Sequence, residues 1–113
     1  VLLVDDHEGF LASARALLVH EGFDVVGESR TGEDALDMVA RISPDLVLLD
    51  LRLPGMSGVD VAHAVSSHDD APEVILISSD ADAGDEPDVK GAPVRGFLPK
   101  RDLTCAAIEA LLA

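Results

Sequence analysis

Three carboxylates stand directly after two apolar runs, Asp5 and Asp6 after Val1-Leu2-Leu3-Val4 and Asp50 after Leu46-Val47-Leu48-Leu49. Runs this apolar read as buried parallel strands, whose carboxyl ends open on the edge where α/β sheets bind ligands. Like charges gathered there repel, so either a cation sits among them or their pKa values rise. An all-oxygen donor set suits a hard ion, with Mg²⁺ the leading candidate. Asp6 and Asp50 would hold it directly, Asp5 would orient a coordinated water, and the backbone carbonyl of Arg52 would complete the oxygen shell. Mg²⁺ takes only one or two carboxylates and leaves positions for phosphate oxygens, so the chemistry indicated is phosphoryl transfer.

Two more polar residues close apolar runs: Ser78 after Val74-Ile75-Leu76-Ile77, and Lys100 after Gly96-Phe97-Leu98-Pro99. If every strand is parallel, Asp5, Asp6, Asp50, Ser78 and Lys100 converge on one edge. Lys100 can neutralise phosphoryl oxygens as a point charge, and Ser78 can hydrogen-bond to one. A carboxylate is a competent nucleophile toward phosphorus, so Asp50 could itself accept the group.

The elements that must position these residues alternate between strand and helix along the whole chain, the pattern of a parallel sheet covered on both faces. Strands are expected at about Val1 to Val4, Asp24 to Glu28, Leu46 to Leu49, Val74 to Ser78 and Arg95 to Leu98. Phe10, Leu11, Ala14, Leu17 and Leu18 recur at helical spacing before a stop at Gly22. Thr31-Gly32-Glu33-Asp34 resembles a capping box ahead of Ala35, Leu36, Val39 and Ile42, with Pro44 ending the run. A Pro- and Gly-rich loop, Leu53 to Gly58, precedes a helix carrying Val59, Ala62 and Val65. A last helix is expected from about Asp102, with Leu103, Ala107, Ile108, Leu111 and Leu112 on it. Between Asp80 and Val94 a helix is due, yet Gly84, Pro87, Gly91 and Pro93 disfavour one and five acids add repulsion. A mobile, loop-rich connection with at most a short turn is expected there.

With 113 residues, 48% of them apolar, the chain has room for one domain and one core. The formal charge of −14, from 22 acids against 8 bases, argues against a nucleic-acid or membrane surface. Cys105 stands alone and reads as a small buried helix residue. Neither a membrane span nor a signal peptide is legible, which makes the cytoplasm the expected compartment.

The acidic pair Asp5-Asp6, Asp50 followed by Leu53-Pro54-Gly55-Met56-Ser57-Gly58, then Ser78 and Lys100, in that order and at strand ends, resemble the receiver domain of bacterial two-component response regulators. The resemblance covers essentially the whole chain. It implies a flavodoxin-like five-stranded parallel sheet of order 2-1-3-4-5. It also implies transfer of a phosphoryl group from a sensor histidine kinase to Asp50, in the presence of Mg²⁺. Ser78 would then move toward the phosphoryl group and Phe97, three residues before the lysine, would swing inward as the second half of a switch. Such receivers often dimerise through the face of the fourth helix, fifth strand and fifth helix, so a homodimer is an expectation. Gly96-Phe97-Leu98-Pro99-Lys100 is similar to receivers of the LuxR-type DNA-binding branch, in which DNA is bound by a separate output domain. Arg101 stands where most receivers have Pro, and the Asp80 to Val94 segment departs from the usual fourth helix.

Taken singly, each residue has an ordinary reading: Ser78 as a turn hydroxyl, Lys100 as a surface lysine, Phe97 as core, His7 as a bystander without a second histidine nearby. A haloacid-dehalogenase-type phosphatase would carry Asp two residues after its nucleophile, where this chain has Arg52. A flavin module would need a phosphate loop where Asp5-Asp6 would repel the phosphate. The remaining alternative is a degenerate receiver acting as a phosphorylation-independent interaction module.

Overall fold

The computed structural model describes all residues, Val1–Ala113. Five parallel strands, β1 (Leu2–Val4), β2 (Gly27–Ser29), β3 (Leu46–Asp50), β4 (Glu73–Ser78) and β5 (Gly96–Pro99), form one sheet of order β2-β1-β3-β4-β5. This is the expected topology. The helices are α1 (Glu8–His20), α2 (Gly32–Ile42), α3 (Gly58–Ser66), α4 (Pro87–Lys90) and α5 (Cys105–Leu112).

Because side chains alternate across a strand, each central strand feeds two cores. Leu2, Val4, Val47, Leu49, Val74 and Leu76 face one way and pack with Ala35 and Val39 of α2 and Val59, Ala62 and Val65 of α3. Leu3, Leu46, Leu48, Ile75 and Ile77 face the other way, against Leu11, Ala14 and Leu18 of α1 and Cys105 and Ile108 of α5. Both faces of β1 and β3 are therefore covered. Truncating fully buried Leu48 to Ala would cost about 3 kcal/mol.

Caps fix where the helices begin. Asp34 N–H donates to Thr31 Oγ1 at 3.1 Å, Asp60 N–H to Ser57 Oγ at 3.2 Å, and Ala107 N–H to Thr104 Oγ1 at 3.0 Å. The last of these corrects the expected start of α5. Lys100–Asp102 form a 3₁₀ turn and Leu103 lies outside the helix, which begins at Cys105. Strand β2 is also shorter than expected. Its sheet partner β1 pairs only through Leu2 to Val4, so the ladder spans Gly27 to Ser29 and leaves Asp24, Val25 and Val26 outside. Ile42, placed by spacing on the inner face of α2, is 38% exposed.

The Asp80 to Val94 segment is ordered more tightly than its composition suggests. Asp82 N–H donates to Asp80 Oδ1 at 3.0 Å, starting a 3₁₀ turn over Ala81–Asp85, and Pro87 opens the single turn of α4. Ala83 and Val89 are buried in the α2/α3-side core, 1% and 4% exposed. The fourth helix is thus present in reduced form, anchored at two points rather than loose.

Candidate functional site

Strand pairing brings the chemistry together. In the β3/β4 ladder Asp50 sits opposite Ile77, one residue before Ser78, and Ser78 sits opposite Pro99, one residue before Lys100. Asp5, Asp50 and Ser78 are buried, at 0%, 2% and 2% exposure. Asp6 is exposed. Asp5 N–H donates to Ser29 O at 3.0 Å, holding the turn after β1 against β2.

Lys100 Nζ reaches into the acidic group. It lies 2.6 Å from Asp5 Oδ2 in an ion pair and 3.7 Å from Asp50 Oδ2. The ammonium also sits 4.6 Å from the centre of the Phe10 ring, a cation–π contact that orients it from the α1 side. The sequence reading assigned Phe10 to helix core only; its second role depends on a residue ninety positions away.

Asp50 Oδ1 accepts a long 3.4 Å bond from Arg52 N–H, and its Oδ2 is buried with no hydrogen-bond partner. Burial first, and then the neighbouring Asp5 charge, push the Asp50 carboxyl up to about 6, with Lys100 pulling the other way. A buried, under-partnered oxygen among like charges is costly unless a cation or further donors meet it. Asp5, Asp6, His7 and Asp50 can each offer one ligand atom, all within 4.8 Å of one another. Their three carboxylates fit a hard divalent ion.

The loop after β3 is closed on itself. Gly58 N–H donates to Leu51 O at 2.8 Å, and a Cβ at Gly58 would stand 2.5 Å from the Asp50 carbonyl oxygen. Only glycine lets α3 start this close to the strand end. Arg52 extends outward, where its Nη2 contacts Glu86 Oε1 at 3.2 Å and Oε2 at 2.9 Å, tying this loop to the residue before α4.

Ser78 Oγ accepts from Asp80 N–H at 3.0 Å, the turn role open to any strand-end hydroxyl. Phe97 on β5 is half-buried and packs against the α2/α3-side core, its ring lying over Gly84, where a Cβ would meet Cδ1 at 2.6 Å.

His7 corrects its reading as a bystander. Its backbone N–H donates to Asp5 Oδ1 at 2.8 Å, and its Nδ1 lies 3.0 Å from Asp5 Oδ1 and 3.2 Å from Asp6 Oδ1. The signal was present in the sequence: an Asp two residues earlier can bond the i+2 backbone N–H and fold the chain back over itself.

A parallel sheet of this order with a buried acidic edge and an inward lysine defines a flavodoxin-like α/β domain with a charged ligand edge. The sequence model of the response regulator receiver domain family matches residues 1–110, and the chain belongs to that family. Among curated proteins it is 39% identical over 119 residues to the probable transcriptional regulatory protein NarL of Mycobacterium tuberculosis, covering 99% of this chain and 52% of the relative. It is 42% identical over 96 residues to protein-glutamate methylesterase/protein-glutamine glutaminase 5 of Myxococcus xanthus, covering 84% of this chain and 27% of that protein. The chain thus spans about half the length, or less, of these relatives. The solved signal receiver domain of NarL from Mycobacterium tuberculosis superposes with a TM-score of 0.81 at 35% identity, over 99% of this chain and 94% of that one. Receivers of this family are signalling switches of two-component systems. No helix is long and apolar enough to cross a membrane.

Proposed function

We propose that Asp50 is the phosphoacceptor of this receiver, and that Asp5, Asp6 and Asp50, with the backbone carbonyl of Arg52, hold Mg²⁺ beside it. The observation that carries this reading is the buried Asp50 Oδ2, which has no hydrogen-bond partner yet lies 3.7 Å from Lys100 Nζ. Nucleophilic attack needs an oxygen that is ionised and free of competing donors. Bound Mg²⁺ would supply the positive charge that keeps Asp50 ionised and screens the incoming phosphoryl oxygens.

The chain's own residues do the rest. Lys100 holds Asp5 in place and can turn to a phosphoryl oxygen, since its three donors are not all taken by one carboxylate. Ser78 exchanges its bond from Asp80 N–H for one toward the phosphoryl group. Phe97 follows inward over Gly84, and this relays the charge change to the α4 and β5 face.

The phosphoryl donor is a sensor histidine kinase, and the activity is self-directed, with no external substrate turned over. Residues 1–113 form the single receiver unit, working in the cytoplasm. Output, transcriptional as the NarL likeness suggests, belongs to a separate domain that carries any DNA contact, because this unit is strongly acidic.

The test is intact mass after incubation with acetyl phosphate, with and without Mg²⁺, alongside Asp50→Asn. A single Mg²⁺-dependent phosphoryl adduct, missing in the variant, is expected. A folded protein that takes no adduct would instead be a phosphorylation-independent interaction module.

A further inference from the structure

His7 ends the turn between β1 and α1 at the helix N-cap, with extended backbone (φ −94°, ψ 108°) and no side-chain capping bond of its own. Its ring is therefore not engaged in holding the helix. Nδ1 instead faces the acidic edge, 3.0 Å from Asp5 Oδ1, 3.2 Å from Asp6 Oδ1 and 3.5 Å from Lys100 Nζ. Donors about 2.1 Å from an octahedral ion stand about 3 Å apart when adjacent and about 4.2 Å when opposite. The two carboxylate distances match adjacent positions, while the four donors spread over as much as 4.8 Å and must close by about half an ångström to share one ion. An independent feature points to a ligand at this place: Asp50 is 2% exposed and its Oδ2 has no hydrogen-bond partner.

Resting on the divalent-ion reading above, we propose that His7 is a fourth side-chain donor at this edge, an imidazole that makes the site favour a borderline first-row ion such as Co²⁺ or Fe²⁺ over Mg²⁺. Three carboxylates alone would suit Mg²⁺, Ca²⁺ or Mn²⁺, whereas an imidazole nitrogen suits the later first-row ions. Affinity for a mixed nitrogen and oxygen site rises from Mn²⁺ through Fe²⁺ to Co²⁺. Mg²⁺, which dehydrates reluctantly and prefers oxygen, gains little from the ring and can keep a water at that vertex. The ion at this site would then depend on supply as well as on the carboxylates. Nδ1 is the donor atom, so the Nε2–H points away from the ion toward solvent, consistent with a side chain 65% exposed.

The test titrates metal-free wild-type protein and His7→Ala with Co²⁺ and with Mg²⁺ by calorimetry, and records proton NMR spectra of the Co²⁺-loaded proteins. Wild-type protein should bind Co²⁺ more tightly than Mg²⁺. In His7→Ala, Co²⁺ affinity should fall about tenfold or more, and Mg²⁺ affinity should stay within about twofold. The strongly shifted exchangeable ring N–H signal of a Co²⁺-bound imidazole should vanish with the substitution. Equal Co²⁺ affinity in the two proteins, or a shifted signal that persists in His7→Ala from His20, His63 or His68, would overturn the inference. Wild-type protein that binds Mg²⁺ but shows no preference for Co²⁺ removes this inference and leaves the Mg²⁺ reading intact. Wild-type protein that is folded by circular dichroism yet binds neither ion removes both.

Discussion

The two halves of the sheet edge are built differently. Around β1 and β3 the functional carboxylates Asp5 and Asp50 are almost fully buried, and every residue of both strands is buried too. At β5 all four residues, Phe97 among them, are only half-buried, and the neighbouring α4 is a single turn. Phosphoryl chemistry needs atoms held in fixed relation, which dense packing provides. Relaying a signal needs an element with two packings close in energy, which sparse burial provides. On the proposed function, the difference would separate a fixed half that reacts from an adjustable half that reports.

The sharpest way to break that contrast is Gly58→Ala. Its methyl would stand 2.5 Å from the Asp50 carbonyl oxygen and 2.9 Å from Leu51 Cα, both backbone atoms of the fixed half. A cost of about 3 kcal/mol in urea unfolding is expected, with loss of the phosphoryl adduct. A variant as stable and reactive as wild type would show that this half is not rigid.

Lys100→Ala tests the charge balance of the same half. Removing the ammonium leaves Asp5 and Asp50 buried without their cation, and about 2 kcal/mol of stability should go in the absence of divalent ions. Added Mg²⁺ should still bind and recover much of the loss in a thermal melt. Signalling should stay lost, since no other lysine lies at this edge.

The pH dependence has a definite sign. Folded Asp50 holds its proton up to about 6 against an ordinary value of 3.8, so between those values the folded state binds more protons than the unfolded chain. Its contribution to metal-free stability is therefore full in acid and is lost as pH rises through about 6. Asp50→Asn should remove that limb from the difference curve and melt higher than wild type at neutral pH.

The smallest effect is expected at Gly84→Ala, in the adjustable half. The three atoms nearest the added methyl all belong to the Phe97 ring, Cδ1 at 2.6 Å, and a ring can swing where backbone cannot. Stability should change by about 1 kcal/mol or less. Phe97 ring resonances should shift clearly. A loss comparable to that of Gly58→Ala would mean that the β5 side is as tightly determined as the β3 side.

How much of this could be read from sequence follows from the same physics. Four apolar runs closed by Asp5, Asp50, Ser78 and Lys100 disclosed the sheet and the carboxylate edge, because strands buried within a parallel sheet leave a near-continuous apolar pattern. What the sequence hid is set by partners distant along the chain. The length of β2 is decided by the three residues of β1, and Phe10 gains its second role only when Lys100 arrives. Thr104, an available cap signal, was passed over in favour of Asp102 as the start of α5. In the Asp80 to Val94 segment both helix propensity and the repulsion of five acids argue for a loop. Two buried side chains, Ala83 and Val89, and the Asp80 turn override that propensity. His7 was legible through its neighbours Asp5 and Asp6, since the turn they form folds its ring back onto their carboxylates.

The most direct measurement is to treat the acetyl phosphate product, formed with Mg²⁺, with borohydride and sequence its peptides by tandem mass spectrometry. Borohydride reduces an acyl phosphate to the alcohol, so the acceptor aspartate becomes homoserine. Homoserine at position 50 alone is the expected result. Homoserine at Asp5 or Asp6, or none in a protein that carries the adduct, would contradict the assignment of Asp50 as the acceptor.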